Sequence, residues 1–387
     1  MVELCRELFQ QANEGKGIST PKLTIIPDGV LPANSPSFTN INDGNSSEIY
    51  CSKSTYLKIF AEARRLIRQD TSNALINDED KYLGTLGLLL ITPEDRTALK
   101  LHEDLLLKRL QTQPGGQWTG SDGSTRLFCY ELSAISLLLT SSVNRVNKSS
   151  SLWLLFRKVY ALKREFYPDP DIDFSSLFTS SAERHISNYY CWNTFRWVYD
   201  LETPAAQTEL LKVVWGFSIR HPKDSSAWWA LGHVLLSLPE LASNFIQNYN
   251  AVNMRFEFTK HIHHKQNSDN LTNEALSAKA IHYISKIMTY IETGEVREWP
   301  PFGCIVRLSH YVSRNEQVHP LQRWCDEIEA FEEKNFKIDR KSVTMAIYKN
   351  NRDLLFQRSI ESLMLRKAAI GKVDIALLRN ANKTKRT

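Results

Sequence analysis

Three short runs hold side chains that a metal or a phosphate could use. His261, His263 and His264 lie in HIHH, and imidazole nitrogens are common zinc ligands. No carboxylate or cysteine stands at ligand spacing within that run, so it reads as an exposed polar loop and no metal ligand is assigned. Asp169, Asp171 and Asp173 in PDPDID alternate as in a calcium loop, but neither the glycine nor the distal glutamate falls where such a loop needs it. That run reads as a turn between helices. Gly115, Gly116, Gly120 and Gly123 could bring backbone N–H groups to a phosphate, yet the segment lacks the lysine-bearing pattern of a P-loop and does not follow a strand. No GxSxG or HExxH arrangement of nucleophile and base is present, which fits a protein that does not carry a reaction alone. Arg157 and Arg196 offer guanidinium forks, which are expected to pair with acidic groups of neighbouring helices or of a partner.

Helices are the expected framework for these groups. Glycine makes up 15 of 387 residues, well below the average of about 7%, which disfavours folds built on many tight turns. Hydrophobic residues at 42% and charged residues at 24% exclude disordered, collagen-like and membrane-embedded chains. At about 100 to 200 residues per domain, the length allows two or three domains or one repeat array. Residues Asn13 to Ser52 carry Pro21, Pro27, Pro32 and Pro36 among Asn, Ser, Gly and Asp, and are expected to form a long loop or flexible arm. From Thr55 the pattern turns helical, with Leu57, Phe60, Ala63 and Ile67 on one face. Further helices are expected at Asp80–Ile91, Glu94–Leu110, Cys129–Thr140, Ser151–Glu165, Ala182–Leu201, Ala205–Ile219 and Ser225–Leu238. Beyond these come Asn273–Thr293, Pro301–Val312, Leu321–Phe331 and Val343–Lys367. Two polar insertions, Gln111–Arg126 and Thr259–Thr272, read as exposed loops.

Four windows repeat: Leu90–Leu106, Asn147–Leu162, His185–Leu201 and Arg220–Leu236. Each is a short polar corner followed by a helix, anchored in turn by Leu99, Trp153, Trp192 and Trp228. With the first insertion removed, the anchors recur at roughly 36 to 39 residues, the period of an α-solenoid of helix pairs. A tryptophan at the start of each second helix buries about 150 to 250 Å² and can set the stacking interval, so these residues read as core.

The third window carries a family resemblance. Asn188, Tyr189, Trp192 and Arg196 in NYYCWNTFRW resemble the Asn-Tyr-x-x-Trp-x-x-Arg-Arg core of protein prenyltransferase alpha-subunit repeats, and LLLITPEDRTAL resembles the segment that precedes it. The likeness covers Leu83 to Leu236, extends weakly to about Val312, and is greatest to the divergent branch of geranylgeranyltransferase type III alpha subunits. The first arginine of the core is replaced by His102, Phe156, Phe195 and Leu231 in the four windows. The resemblance implies an all-α, right-handed solenoid of antiparallel helix pairs, tetratricopeptide-like, wrapped around a beta subunit like that of the Rab enzyme. Zinc and the prenyl diphosphate would sit on that partner, with no cofactor in this chain. Lys148, five residues before Trp153, stands where the family's lysine approaches the diphosphate, and Lys223 holds the same offset before Trp228. Tyr189 keeps the third-repeat tyrosine, and Arg157 and Arg196 keep the second arginine.

The function implied is that of an alpha subunit of a heterodimeric protein geranylgeranyltransferase, scaffolding the beta subunit for transfer to cysteines of SNAREs or small GTPases. The alternatives are a non-catalytic tetratricopeptide-like adaptor, suggested by Trp228, Leu231 and Gly232 in WWALG, and an inactive prenyltransferase relative. The domains expected are 1–53, an N-terminal helix plus arm; 54–335, alpha-type repeats with insertions at 111–126 and 259–272; and 336–387, C-terminal helices and a basic tail. The net charge is +5, but Arg366–Thr387 alone has seven basic residues against Asp374, so the basic excess sits in one tail and no nucleic-acid partner is expected. Six scattered cysteines without CxxC spacing, no apolar N-terminal leader and no terminal cysteine to lipidate predict a reduced, cytoplasmic protein without membrane insertion.

Overall fold

The computed structural model describes residues 2–14, 20–30, 32, 34–43, 47–69, 76–111, 122–166, 172–236, 273–312, 320–335 and 361–373. They divide into two compact units, one reaching Leu201 and one from Glu202 onward. The first holds α1 (Glu3–Glu14), strands β1 (Lys22–Ile26), β2 (Thr39–Asn42) and β3 (Ser47–Ser52), then α2 (Lys53–Gln69), α3 (Asp78–Leu89) and α4 (Arg96–Gln111). It continues with α5 (Asp122–Leu139), α6 (Asn144–Asn147), α7 (Ser150–Phe166), α8 (Phe174–Arg184) and α9 (Tyr189–Leu201). The second holds α10 (Pro204–Arg220), α11 (Ser225–Leu236), α12 (Asn273–Thr293), α13 (Trp299–Ser309), α14 (Gln322–Asn335) and α15 (361–373). The protein is mostly helical, as expected.

The arm expected at Asn13–Ser52 is corrected: it contains a three-stranded sheet in the order β1-β3-β2. β1 runs parallel to β3 with Leu23 opposite Ile49, and β2 runs antiparallel with Thr39 opposite Tyr50. Leu23, Ile49 and Cys51 are buried, and Pro21 and Pro27 bound β1 without entering its ladder. Ser142, just past α5, closes the outer edge of β1. Its N–H donates to Leu23 O at 2.8 Å, and Ile25 N–H donates to Ser142 Oγ at 3.0 Å.

Two helix readings also shift. The buried face of α2 is Tyr56, Ile59, Ala63 and Leu66, whereas Leu57 is exposed, so the expected stripe was rotated by one residue. The expected helix Ala182–Leu201 is two helices, α8 and α9, parted by a corner in which Ser187 takes a φ of 58°. Asp173 caps α8, its Oδ1 accepting from Ser176 N at 3.0 Å. Asp169, Asp171, Gly115, Gly116, Gly120, His261, His263, His264, residues 343–360 and the tail from 374 lie outside the described residues.

A shared device starts four helices. Asp95 Oδ1, Ser149 Oγ, Asn188 Oδ1 and Asp224 Oδ1 each accept the N–H three residues on, from Ala98, Leu152, Cys191 and Ala227. The anchors Leu99, Trp153, Trp192 and Trp228 follow each cap by four residues and bond back to its carbonyl. Trp153, Trp192 and Trp228 are buried, but in the first window Ala98 takes the buried place and Leu99 is only half-buried.

Helix α3 is buried around nearly its whole circumference in the first unit. Gly87 admits its neighbours, since a Cβ there would stand 2.6 Å from Cys5 Sγ and 3.0 Å from Ala63 Cβ. In the second unit Trp228 stacks on Tyr290 at 5.8 Å between centroids, and Tyr290 OH donates to Ile219 O at 2.9 Å, which ties α10, α11 and α12 together.

Candidate functional site

Two asparagines join the corner before α7 to the corner before α9. Asn147 Nδ2 donates to Leu139 O at 2.6 Å and to Ser181 Oγ at 2.9 Å, while Asn188 Nδ2 donates to Asn147 Oδ1 at 2.8 Å. Trp153 Nε1 donates to Asn147 O at 3.1 Å. These groups are buried and bonded, as buried amides must be, so whatever the corners display is held on a fixed base. Glu94 fixes the same place from the start of α4, accepting from Ser149 Oγ at 2.6 Å and from Ser151 N at 3.3 Å.

On this base stands a surface of aromatic and cationic groups. Tyr189 and Tyr190 open α9 with 57% and 40% exposure, their rings edge to face at 5.4 Å, and Ile186 in the preceding corner is 61% exposed. Lys148, at the end of α6, is exposed. Arg157 lies two turns into α7 with its Nε buried and without an acceptor. Burial pulls its guanidinium below the ordinary value, and the nearby Tyr189 pushes it back up. Arg196 lies two turns beyond Tyr189 on the same face of α9, and its Nη2 donates to Asn193 Oδ1 at 2.9 Å.

The structure therefore brings Arg157 of α7 beside Tyr189 of α9, with Lys148 in the corner before α7 and Arg196 further along α9. The ion pair expected for Arg157 is not there: among the described residues no carboxylate reaches it. The next residue of α7, Lys158, does have an acidic partner on α4, its Nζ lying 2.6 Å from Glu103 Oε1. Lys223 belongs to the second unit, exposed and 3.9 Å from Glu298 Oε1.

A second cluster went unread in the sequence. Tyr82 and Thr85 of α3, His102 of α4 and Glu131 of α5 are all fully buried. His102 Nδ1 meets Thr85 Oγ1 at 2.8 Å, and its Nε2 meets Glu131 Oε1 at 2.8 Å. Tyr82 OH donates to the other oxygen of Glu131, and Tyr82 stacks on His102 at 5.0 Å. Thr85 Oγ1 also lies 2.7 Å from Tyr82 O, so every polar group of the cluster has a partner. Burial, then Glu131, pushes the Tyr82 hydroxyl far above its ordinary value. Hydroxyl, imidazole and carboxylate stand in line, but with no exposure and each polar group partnered they join three helices and do not meet a substrate. The signal in the sequence was a histidine and a glutamate set among leucines.

Fold and site define the class: a mostly helical protein of two units, with an arginine and tyrosine surface on the first. Residues 1–140 match the ECM9 N-terminal domain, 152–262 the ECM9 middle domain and 281–384 the ECM9 C-terminal domain. Protein ECM9 of Saccharomyces cerevisiae (strain ATCC 204508 / S288c) is 33% identical over 343 residues, covering 85% of this chain and 85% of that protein. The chain belongs to the ECM9 family.

This corrects the prenyltransferase alpha-subunit resemblance, because the family models that match along the chain are those of ECM9. The alpha-subunit function, the heterodimer with a Rab-type beta subunit and the SNARE or GTPase substrates go with it. The match does not carry the tetratricopeptide-like adaptor either. The physical reason is that Asn188, Trp192 and their spacing report a capped helix with a buried anchor. Ser149 with Trp153 and Asp224 with Trp228 meet the same need with different caps.

Proposed function

We propose that the chain is a binding protein whose first unit recognises an anionic group of a partner protein across the α7–α9 surface. The observation that carries this reading is Arg157, a guanidinium drawn largely out of water beside exposed Tyr189, with no carboxylate among the described residues against it. A desolvated cation without a counter-charge destabilises the free protein, and an arriving anion relieves that cost. Arginine and tyrosine are also the residues that most often dominate binding surfaces. Lys148 adds a second, exposed charge suited to long-range attraction.

The succession α3–α4, α5–α7 and α8–α9 within this unit supports reading it as stacked antiparallel helix pairs of a right-handed, solenoid-like kind. No described helix is long and apolar enough to cross a membrane, and a cytoplasmic setting is the one we assign.

The test is affinity capture with the native chain, Arg157→Met and Tyr189→Ala, read alongside thermal unfolding. Met keeps the apolar stem of the side chain and removes the charge. Arg157→Met should leave the first unit's melting temperature unchanged or raise it by about 2–4 °C, as about 1 kcal/mol of relieved burial would. The same variant should lose partners that the native chain retains at low salt. A variant that melts lower and keeps every partner would sink the proposal.

A further inference from the structure

The second unit carries a separate surface. Trp228 and Trp229 adjoin on α11, yet Trp228 is buried while Trp229 is 55% exposed. Arg307 of α13 lies over the Trp229 ring with its guanidinium carbon 4.1 Å from the centroid, and its Nη1 donates to Trp229 O at 2.9 Å. Gly232, three residues along α11, gives the side chain room: a Cβ would stand 3.3 Å from Arg307 Cδ, closer than most such contacts, and at ordinary contact distance, 3.5 Å, from Arg307 Nη1 and Cys304 Sγ. The glycine that suggested a tetratricopeptide motif is thus explained by the passage of an arginine.

Burial pulls the Arg307 guanidinium below its ordinary value, with Cys304 and Tyr311 opposing, and no carboxylate among the described residues pairs with it. One Nη is used on Trp229 O. The second Nη and Nε remain, a fork whose geometry suits a planar oxyanion. Neither α11 nor α13 has another lysine or arginine. Three other cations of the unit are engaged elsewhere: Lys286 over Trp215, Lys372 over Trp299, and Arg366 against Glu327. Among the described residues one positive charge, Arg307, is placed against the exposed indole, which matches a monoanion on an aliphatic stem better than a phosphate dianion.

We propose that Arg307 and Trp229 form a recognition site for a glutamate or aspartate side chain of an acidic peptide segment. The carboxylate takes the free donors of Arg307, and the peptide's aliphatic atoms cover the indole. This site lies in the other unit from Arg157 and stands or falls independently of it.

The experiment is ¹⁹F NMR on the full chain carrying 5-fluorotryptophan, with the Trp229 signal assigned from Trp229→Phe. The probes are a capped peptide of alternating glutamate and glycine, its glutamine counterpart, and inorganic phosphate. The Trp229 signal should shift saturably with the glutamate peptide and stay put with the glutamine peptide. Arg307→Met should abolish the shift, Arg307→Lys should weaken binding about tenfold or more because the fork is lost, and Arg157→Met should leave it unchanged. Unmoved signals from the other eight tryptophans would show that the variants are folded. The proposal is overturned if the glutamine peptide shifts Trp229 equally, if Arg307→Met still responds, or if nothing saturates below about 10 mM, a free energy near that of non-specific contact. A stronger response to phosphate than to the glutamate peptide would overturn the carboxylate assignment.

Discussion

Arg157 and His102 show two fates of a charge-bearing group inside a helical unit. Around His102 every hydrogen-bonding group finds a partner, so the burial of Glu131 is compensated. Glu131→Gln replaces an acceptor that serves both Tyr82 and His102, and should destabilise the first unit by about 3 kcal/mol or more, seen as a lower urea midpoint. A midpoint within experimental scatter of the native one would show that the cluster is dispensable. Arg157 is the opposite case, with no such compensation. Arg157 and Arg196 were visible in the sequence as members of repeated windows, but whether either met a carboxylate was not. The His102 network was invisible because its partners lie 17 and 29 residues away on other helices, and only packing brings them within 3 Å.

At the level of the elements, the helix starts at Arg96, Ser150, Pro204 and Ser225 fall within two residues of those expected, whereas the starts of α5, α8 and α9 were misplaced. Caps differ in weight with what else they hold. Asp95→Ala removes an exposed cap and should cost about 1 kcal/mol. Asn188→Ala removes a cap and also leaves Asn147 Oδ1 without its buried donor, so it should cost about twice as much or more in the same denaturation assay. Equal losses would mean that the link between corners contributes nothing. The strands were missed because four to six residues give too short an alternation to read, and β1 gains its partner β3 only through a parallel pairing across 26 residues. The face of α2 was misread by one position because Leu57 and Phe60 suit an apolar stripe as well as Tyr56 and Ile59 do.

Across the whole molecule, burial leaves an alkaline signature in both units. The thiols of Cys5, Cys51 and Cys304 are pushed up to about 12 from an ordinary 9.0, mainly by burial, and Tyr130 rises to about 12 from 10.0 for the same cause. The folded chain therefore holds protons that the unfolded chain releases. Their stabilisation is fully present below about pH 9 and is lost as pH rises toward 12, so both units should melt at progressively lower temperatures above about pH 9. Melting temperatures that stay level to about pH 10.5 would contradict it. The sequence by itself determined what depends on neighbours a few residues apart: the helical class, the polar corners that precede the anchors, the buried tryptophan anchors and the positions of the arginines. Tertiary structure alone decided which charges find partners, that Gly232 makes way for Arg307, and that a proline-rich arm contains a sheet. Each of those outcomes is set by groups distant in sequence, whose approach follows from how the helices bury their apolar faces.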